Sequence, residues 1–269
     1  MSDLSLLKKF ILHIDDLINA TETNHLIGQT FIELATVNST NSYAIDQIQA
    51  NLAAHGNAYF AFEQTAGRGQ RGKEWNSSIG ENIVLSITLA PNIAGINNLF
   101  ELSQTIALAC CSFFNKYTNG DCTIKWPNDI YWNDRKAGGI LIENIYRGQQ
   151  WQWAIIGIGL NINQTHFPDF GSKKAVSLKQ ITGINYPIIG AAKELCNYIN
   201  YFINVLISQP SSIHQTYINC LYKKNQFTKL LLEEKVLYCE IIGVSTTGEL
   251  LVKHNEEIKA LAWGSVTWI

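Results

Sequence analysis

Gln64-Thr65-Ala66-Gly67-Arg68-Gly69-Gln70-Arg71-Gly72-Lys73-Glu74-Trp75-Asn76 is the stretch on which the reading of this chain turns. It is bracketed by Ala58-Tyr59-Phe60-Ala61-Phe62 and by Asn82-Ile83-Val84-Leu85-Ser86-Ile87-Thr88-Leu89, runs whose composition predicts two buried strands. Gly67, Gly69 and Gly72 let the backbone bend tightly and approach a ligand closely. Arg68, Arg71 and Lys73 sit among them, and guanidinium groups suit carboxylate or phosphate. A long cationic loop between buried strands is therefore a reasonable device for closing over an anion. It is not a P-loop, because no Gly-Lys-Ser/Thr ends it and no helix pattern follows. Nor does it have the strand, Gly-x-Gly-x-x-Gly, helix order of a dinucleotide site. Taken alone, it reads equally well as a glycine-rich hairpin with solvated charges.

Outward from the loop, 269 residues suffice for one large domain and a small one. A net charge of −2 gives no footprint of a general nucleic-acid binder. Cys110, Cys111, Cys122, Cys196, Cys220 and Cys239 form no Cys-x-x-Cys pair and have no histidine at metal spacing. They read as free buried thiols of a reducing, cytoplasmic compartment. No secretory leader and no bilayer-length apolar run is evident.

Leu7, Phe10, Ile11, Ile14, Leu17 and Ile18 recur at helical spacing and predict an amphipathic helix over 4–19. A polar linker follows over 21–24. A strand is expected over 31–37 and a helix over about 42–53, with Ser39, Thr40 and Asn41 as capping side chains. A buried helix over 99–117, a strand over 122–126 closed by Pro127, paired strands over 138–146 and 152–159, an irregular stretch over 169–183, and helices over 186–206 and 213–223 complete the first part. From Phe227 the pattern changes to short strands with Gly243, Gly248 and Gly264 as turns, including 237–244, 250–253 and 258–262, which suits a small barrel. The expected organisation is an extension over 1–25, a main domain over 26–225 and a terminal module over 226–269.

The second decisive segment is Ile124-Lys125-Trp126-Pro127-Asn128-Asp129, followed after a short spacer by Lys136-Ala137-Gly138-Gly139-Ile140-Leu141. With the loop, with Ser39-Thr40-Asn41 upstream and with Gly157-Ile158-Gly159-Leu160-Asn161-Ile162-Asn163 downstream, it resembles the biotin–protein ligase family, in order and spacing, across residues ~30 to 165. The last ~40 residues also look like that family's small terminal barrel. The resemblance implies an α+β fold: a mixed β-sheet backed by helices, of the class II aminoacyl-tRNA synthetase type, followed by an SH3-like β-barrel. It implies that the carboxylate of biotin attacks the α-phosphate of ATP, giving biotinyl-adenylate, and that a lysine of a biotin carboxyl carrier domain then takes the biotinyl group.

That chemistry makes demands. Two anions must meet, so fixed positive charge must lie between them. Lys136, Arg68 and Arg71 are the candidates: by resemblance Lys136 bridges the carboxylate and the α-phosphate, Arg68 holds the reacting groups, Lys125 faces the nucleotide phosphates, and Arg71 is expected on the ATP side with them. Mg²⁺ needs oxygen ligands, which Asn128 and Asp129 supply. Asp129 has two other roles open to it, orienting the loop arginines or removing a proton from the incoming lysine. The ureido ring needs matched donors and acceptors, supplied by Ser39, Thr40, Asn41 and Gln64. Gly67, Gly69 and Gln70 of the loop, with Gly139, Gly157 and Gly159, let backbone groups approach. Trp75 and Asn161 match the adenine positions, although Trp75 reads equally as a core residue. Alone, Ser39-Thr40-Asn41 reads as a helix cap. One departure stands out: the family loop carries arginine where this chain has Gln70.

A lipoate or octanoate ligase, with a related core, is the nearest competing reading. The glycine–arginine loop and Lys125-Trp126-Pro127-Asn128-Asp129 favour biotin. A non-catalytic binding module would have no need of this charge-matched set. A DNA-binding regulator is disfavoured by charge and because only one short helix precedes the matched region, so a monofunctional ligase without a DNA or membrane role is expected. The expected partner is the carrier domain of acetyl-CoA carboxylase or a related carboxylase, docking beside the site by strand pairing, with the ligase a monomer or homodimer.

Overall fold

The computed structural model describes residues 27–167 and 175–269. The helix expected over 4–19, the linker after it and part of the irregular stretch over 169–183 lie outside these residues. The chain opens with β1 (Phe31–Val37), α1 (Thr40–Gln49), β2 (Ala58–Gln64), a 3₁₀ turn at Gln70–Gly72 and β3 (Ile83–Leu89). There follow α2 (Pro91–Ala94), α3 (Leu99–Thr118), β4 (Cys122–Lys125), β5 (Asp129–Trp132), β6 (Arg135–Arg147) and β7 (Gln150–Leu160). Helices α4 (Leu178–Thr182), α5 (Ile188–Ser208) and α6 (Pro210–Asn219) precede β8 (Phe227–Leu232), β9 (Lys235–Val244), β10 (Leu250–His254), β11 (Glu257–Leu261) and β12 (Val266–Trp268).

The first seven strands form one sheet in the order β1-β2-β3-β7-β6-β5-β4. β1 and β2 are parallel and the other pairs antiparallel, so the sheet is mixed. β3 is buried along its whole length, which explains its near-continuous apolar run. Its two faces differ in use. Ile83, Leu85, Ile87 and Leu89 join the core shared with α3 and α5. Ser86, between them, turns to α1, which packs against β2, β3 and β7. Burying side chains of this size contributes about 1.5–3 kcal/mol each, so the face under α3 and α5 holds the sheet while the α1 face is left to carry a site. The remaining strands form a five-stranded antiparallel sheet, order β11-β10-β9-β8-β12, consistent with an SH3-like module.

Most elements fall where the periodicity puts them, and the differences have local causes. α1 starts at Thr40, not Ser42, and Ser39 at its cap position makes no side-chain cap bond, so the capping expected of Ser39-Thr40-Asn41 is not how these side chains are used. The stretch read as irregular contains α4, set by a capping box between Ser177 and Gln180. β5 and β12 are short, four and three residues, and lack a period long enough to read. Among the described residues, no helix is long and apolar enough to cross a membrane.

All six cysteines are free and buried. Burial pushes the Cys110 thiol well up and that of Cys196 to about 12, and it also raises the Tyr217 phenol. Groups held above their ordinary values, 9.0 for thiols and 10.0 for phenols, favour the fold fully below those values and lose that contribution as pH rises past them. The melting temperature is therefore expected to hold steady up to about pH 9 and to fall beyond it; a melting temperature that stays constant well above pH 9 would contradict this.

Candidate active site

The cavity lies on the α1 face of the mixed sheet, and three strands build its floor with one parity. Val84 pairs with Gly159, Ser86 with Gly157, and Gly139 with Gly159 across β3, β7 and β6. The glycines make the floor low. A Cβ on Gly157 would stand 2.4 Å from Asn41 Oδ1, and one on Gly159 would stand 2.4 Å from the Trp75 indole. Both distances forbid any side chain unless the neighbour moves.

The start of α1 forms one wall. Gln64 Oε1 accepts from the Thr40 amide (2.7 Å) and hydroxyl (3.1 Å). Ser86 Oγ donates to Asn41 Oδ1 at 2.6 Å and lies 2.7 Å from Thr40 Oγ1. Asn41 Nδ2 donates to Glu143 Oε2 (2.8 Å) and to the Leu141 carbonyl (3.3 Å). Ser39, Thr40 and Asn41 are all buried, yet all line the cavity. This is a fixed array of donors and acceptors, held by bonds within the protein.

The glycine loop forms the opposite wall. It folds back on itself, the Trp75 amide donating to Gly67 O (2.9 Å) and the Gly69 amide to Lys73 O (2.6 Å). Gly69, Gln70 and Trp75 line the cavity. Trp75 Nε1 is buried there and has no hydrogen-bond partner among the described residues, a donor that suits a ligand acceptor. Arg68 lines the cavity and is paired with Glu143. Arg71, in the left-handed region with φ +57°, donates to the carbonyls of Gly264 (2.7 Å) and Trp263 (3.5 Å), so this cation ties the loop to the terminal sheet.

The Lys125–Asp129 segment closes the third side. Asn128 Nδ2 donates to Ile140 O at 2.6 Å, leaving its Oδ1 for the cavity. Lys136 Nζ lies 2.6 Å from Asp129 Oδ1, with both side chains partly exposed. Lys125 is 8% exposed. Five cations (Arg68, Arg71, Lys73, Lys125 and Lys136) against two carboxylates (Glu74 and Asp129) line this cavity, so its field favours an anion. Among the described residues, no three His, Cys, Asp or Glu side chains gather into a metal cage. One amide and one carboxylate oxygen fit a Mg²⁺ held mainly by phosphates and water.

Of the expected residues, two do not line this cavity. Gly67 packs behind the loop, where a Cβ would lie 2.3 Å from the Trp75 carbonyl oxygen. Asn161 Nδ2 donates to the carbonyls of Lys136 (3.3 Å) and Val176 (3.2 Å), which braces the backbone beneath Lys136. Other residues had escaped notice. Glu143 reads as an ordinary strand charge, though its even spacing from Gly139 puts it on the same face. Ser86 alternates with buried aliphatics, a legible signal of a polar group facing a site. Trp263, Gly264, Val266, Thr267 and Trp268 come from the far end of the chain, and no local pattern connects them to the cavity.

The Biotin/lipoate A/B protein ligase family model matches residues 33–161. The bifunctional ligase/repressor BirA of Bacillus subtilis is 30% identical over 250 residues, 88% of this chain and 73% of that protein. Its Escherichia coli counterpart is 27% identical over 256 residues, 93% of this chain and 78% of that protein. Among solved structures, the biotin protein ligase of Aquifex aeolicus in complex with biotin and ATP superposes with a TM-score of 0.75 at 25% identity, covering 88% of this chain and 97% of that one.

Proposed function

The chain belongs to the biotin–protein ligase family, and on that premise we propose that the cavity above the glycine floor is where biotin and ATP react and where the biotinyl group is handed to protein. The chain activates biotin with ATP and transfers it; the lipoate reading is not favoured, because relatives named biotin–[acetyl-CoA-carboxylase] ligase and a solved biotin protein ligase with biotin and ATP are what this chain resembles. The observation that carries the siting is that one cavity holds a fixed amide and hydroxyl array on one side and five cations on the other.

The division of labour follows from the geometry. Thr40, Asn41 and Gln64, with Ser39, offer donors and acceptors to a neutral polar ring, and the bare backbone of Gly157 and Gly159 gives that ring room. Lys136, fixed by Asp129, stands at the floor where a carboxylate and an α-phosphate would meet, and its charge offsets their repulsion. The carboxylate oxygen forms a bond to phosphorus while the bond to pyrophosphate breaks. In the second step the acceptor amine attacks the carbonyl carbon, AMP leaves and the amine loses its proton. Asn128 and Asp129 would hold Mg²⁺, which when bound neutralises phosphate charge. Arg68 leaves Glu143 for the phosphate, and Trp75 offers its indole N–H and face to the adenylate. The acceptor is a biotin carboxyl carrier domain.

Biotin-dependent exchange of pyrophosphate into ATP tests the first step, and its absence would refute the assignment. Two variants refine it. Asp129→Asn removes the partner that orients Lys136 and is expected to slow exchange by up to about a hundredfold while biotin still binds; unchanged turnover would exclude that role. Gln70 brings no charge to the adenylate, so Gln70→Arg is expected to lower release of free biotinyl-adenylate several-fold in a chase experiment. If release is unchanged, the neutral side chain does not govern retention.

A further inference from the structure

The deeper end of the cavity holds a feature that the ligase reading does not require. Lys125 leaves the end of β4 with Nζ 4.5 Å from the ring centre of Tyr131, 5.1 Å from that of Trp268 and 5.3 Å from that of Tyr222. The Tyr131 hydroxyl is 3.3 Å away. An ammonium so buried loses much of its hydration, and ring faces replace part of it. Two of the rings are pinned by their own polar ends: Tyr222 donates its hydroxyl to Asp134 at 2.5 Å, and Trp268 donates its indole N–H to the Trp126 carbonyl at 3.1 Å. The three walls come from β5, from the segment after α6 and from β12, the last strand of the chain.

We propose that Trp268, the penultimate residue, is a positioning residue for Lys125: with Tyr131 and Tyr222 it forms an aromatic cage that holds the ammonium toward the nucleotide side of the cavity. The terminal sheet thereby takes part in phosphate binding without touching phosphate through this residue. The same sheet anchors Arg71 through the carbonyls of Trp263 and Gly264, so its final turn and strand reach the cavity at two points. The inference rests on Lys125 facing the nucleotide, and its test has one arm that does not.

The variants are Trp268→Leu and Trp268→Phe. In biotin-dependent pyrophosphate exchange, Trp268→Leu is expected to raise KM for ATP about tenfold, with biotin affinity by calorimetry unchanged. Trp268→Phe keeps a ring face but loses the N–H, and it is expected to recover most of the loss. If Phe is as impaired as Leu, the hydrogen bond to Trp126 carries the effect and the cage does not. Wild-type KM in both variants also overturns the proposal. The second arm is acylation of Lys125 by acetic anhydride, read by peptide mass: Lys125 is protected in the wild type and in Trp268→Phe, and labelled in Trp268→Leu. Equal labelling in all three refutes the cage, whether or not exchange activity exists. If Leu loosens the terminal sheet, Trp268→Met serves in its place. An inactive wild type with the expected labelling pattern would overturn the ligase siting and leave the cage standing.

Discussion

Replacement of Lys136 by methionine is expected to slow biotinyl-adenylate formation by about 10²- to 10³-fold, the loss found when one preorganised group facing developing charge is removed. The residue lies where two anions must approach, and methionine keeps its reach but not its charge. The effect belongs to the chemical step and not to folding. Its ion pair with Asp129 is partly exposed on both sides, and such pairs contribute about 0–1 kcal/mol, so the melting temperature should hardly move. Biotin affinity should fall far less than the rate, because the ring-binding array of Thr40, Asn41 and Gln64 is bonded independently of Lys136. Pyrophosphate release under saturating biotin measures this. A variant within tenfold of the wild type would mean that Lys136 does not bridge the reacting groups.

The second large effect is expected from a single methyl group. Gly157→Ala places a Cβ 2.4 Å from Asn41 Oδ1 and 2.9 Å from Asn41 Cγ. Asn41 cannot step aside cheaply, since Ser86, Glu143 and the Leu141 carbonyl hold its amide. Either the asparagine leaves its partners or the strands spread, a strain of about 1–3 kcal/mol. Biotin affinity is expected to fall by about a hundredfold, because the displaced side chain is part of the ring-binding array and a misplaced buried polar group is costly. Calorimetry with biotin alone reads this without the rest of the reaction. Gly190→Ala is the control: its nearest neighbour would be 3.7 Å away, in open contact with Pro187, and it should bind as the wild type does. Equal binding by Gly157→Ala would show that biotin does not lie on this floor.

Legibility in the sequence divides along a physical line. The strands beside the glycine loop could be read because burial leaves a near-continuous apolar run, along all seven residues of β3 and the first four of β2. The glycines at 157 and 159 could be read as close-approach positions, since alternate residues of a strand share a face. The Lys125–Asp129 segment is legible through its resemblance to the family's motif, since short runs of such residue types have no period of their own. What stayed hidden depends on contacts distant in sequence. Trp268 meets Trp126 across 142 positions, and a three-residue strand has no period to announce it. Nothing local to Arg71 says that Gly264 offers it a carbonyl. Nor does the motif around Asn161 say that its side-chain N–H groups meet the carbonyls of Lys136 and Val176. Ser39 does take the N-cap position, with the extended backbone of a cap, and only the missing side-chain cap bond leaves its hydroxyl to the cavity.

Intact-mass analysis of a biotin carrier domain incubated with this protein, Mg-ATP and either biotin or lipoate reads the whole reaction at once. A biotin-sized mass gain that requires ATP, and no gain with lipoate, is expected. A gain with lipoate alone, or no gain with either despite tight biotin binding, would contradict the ligase assignment.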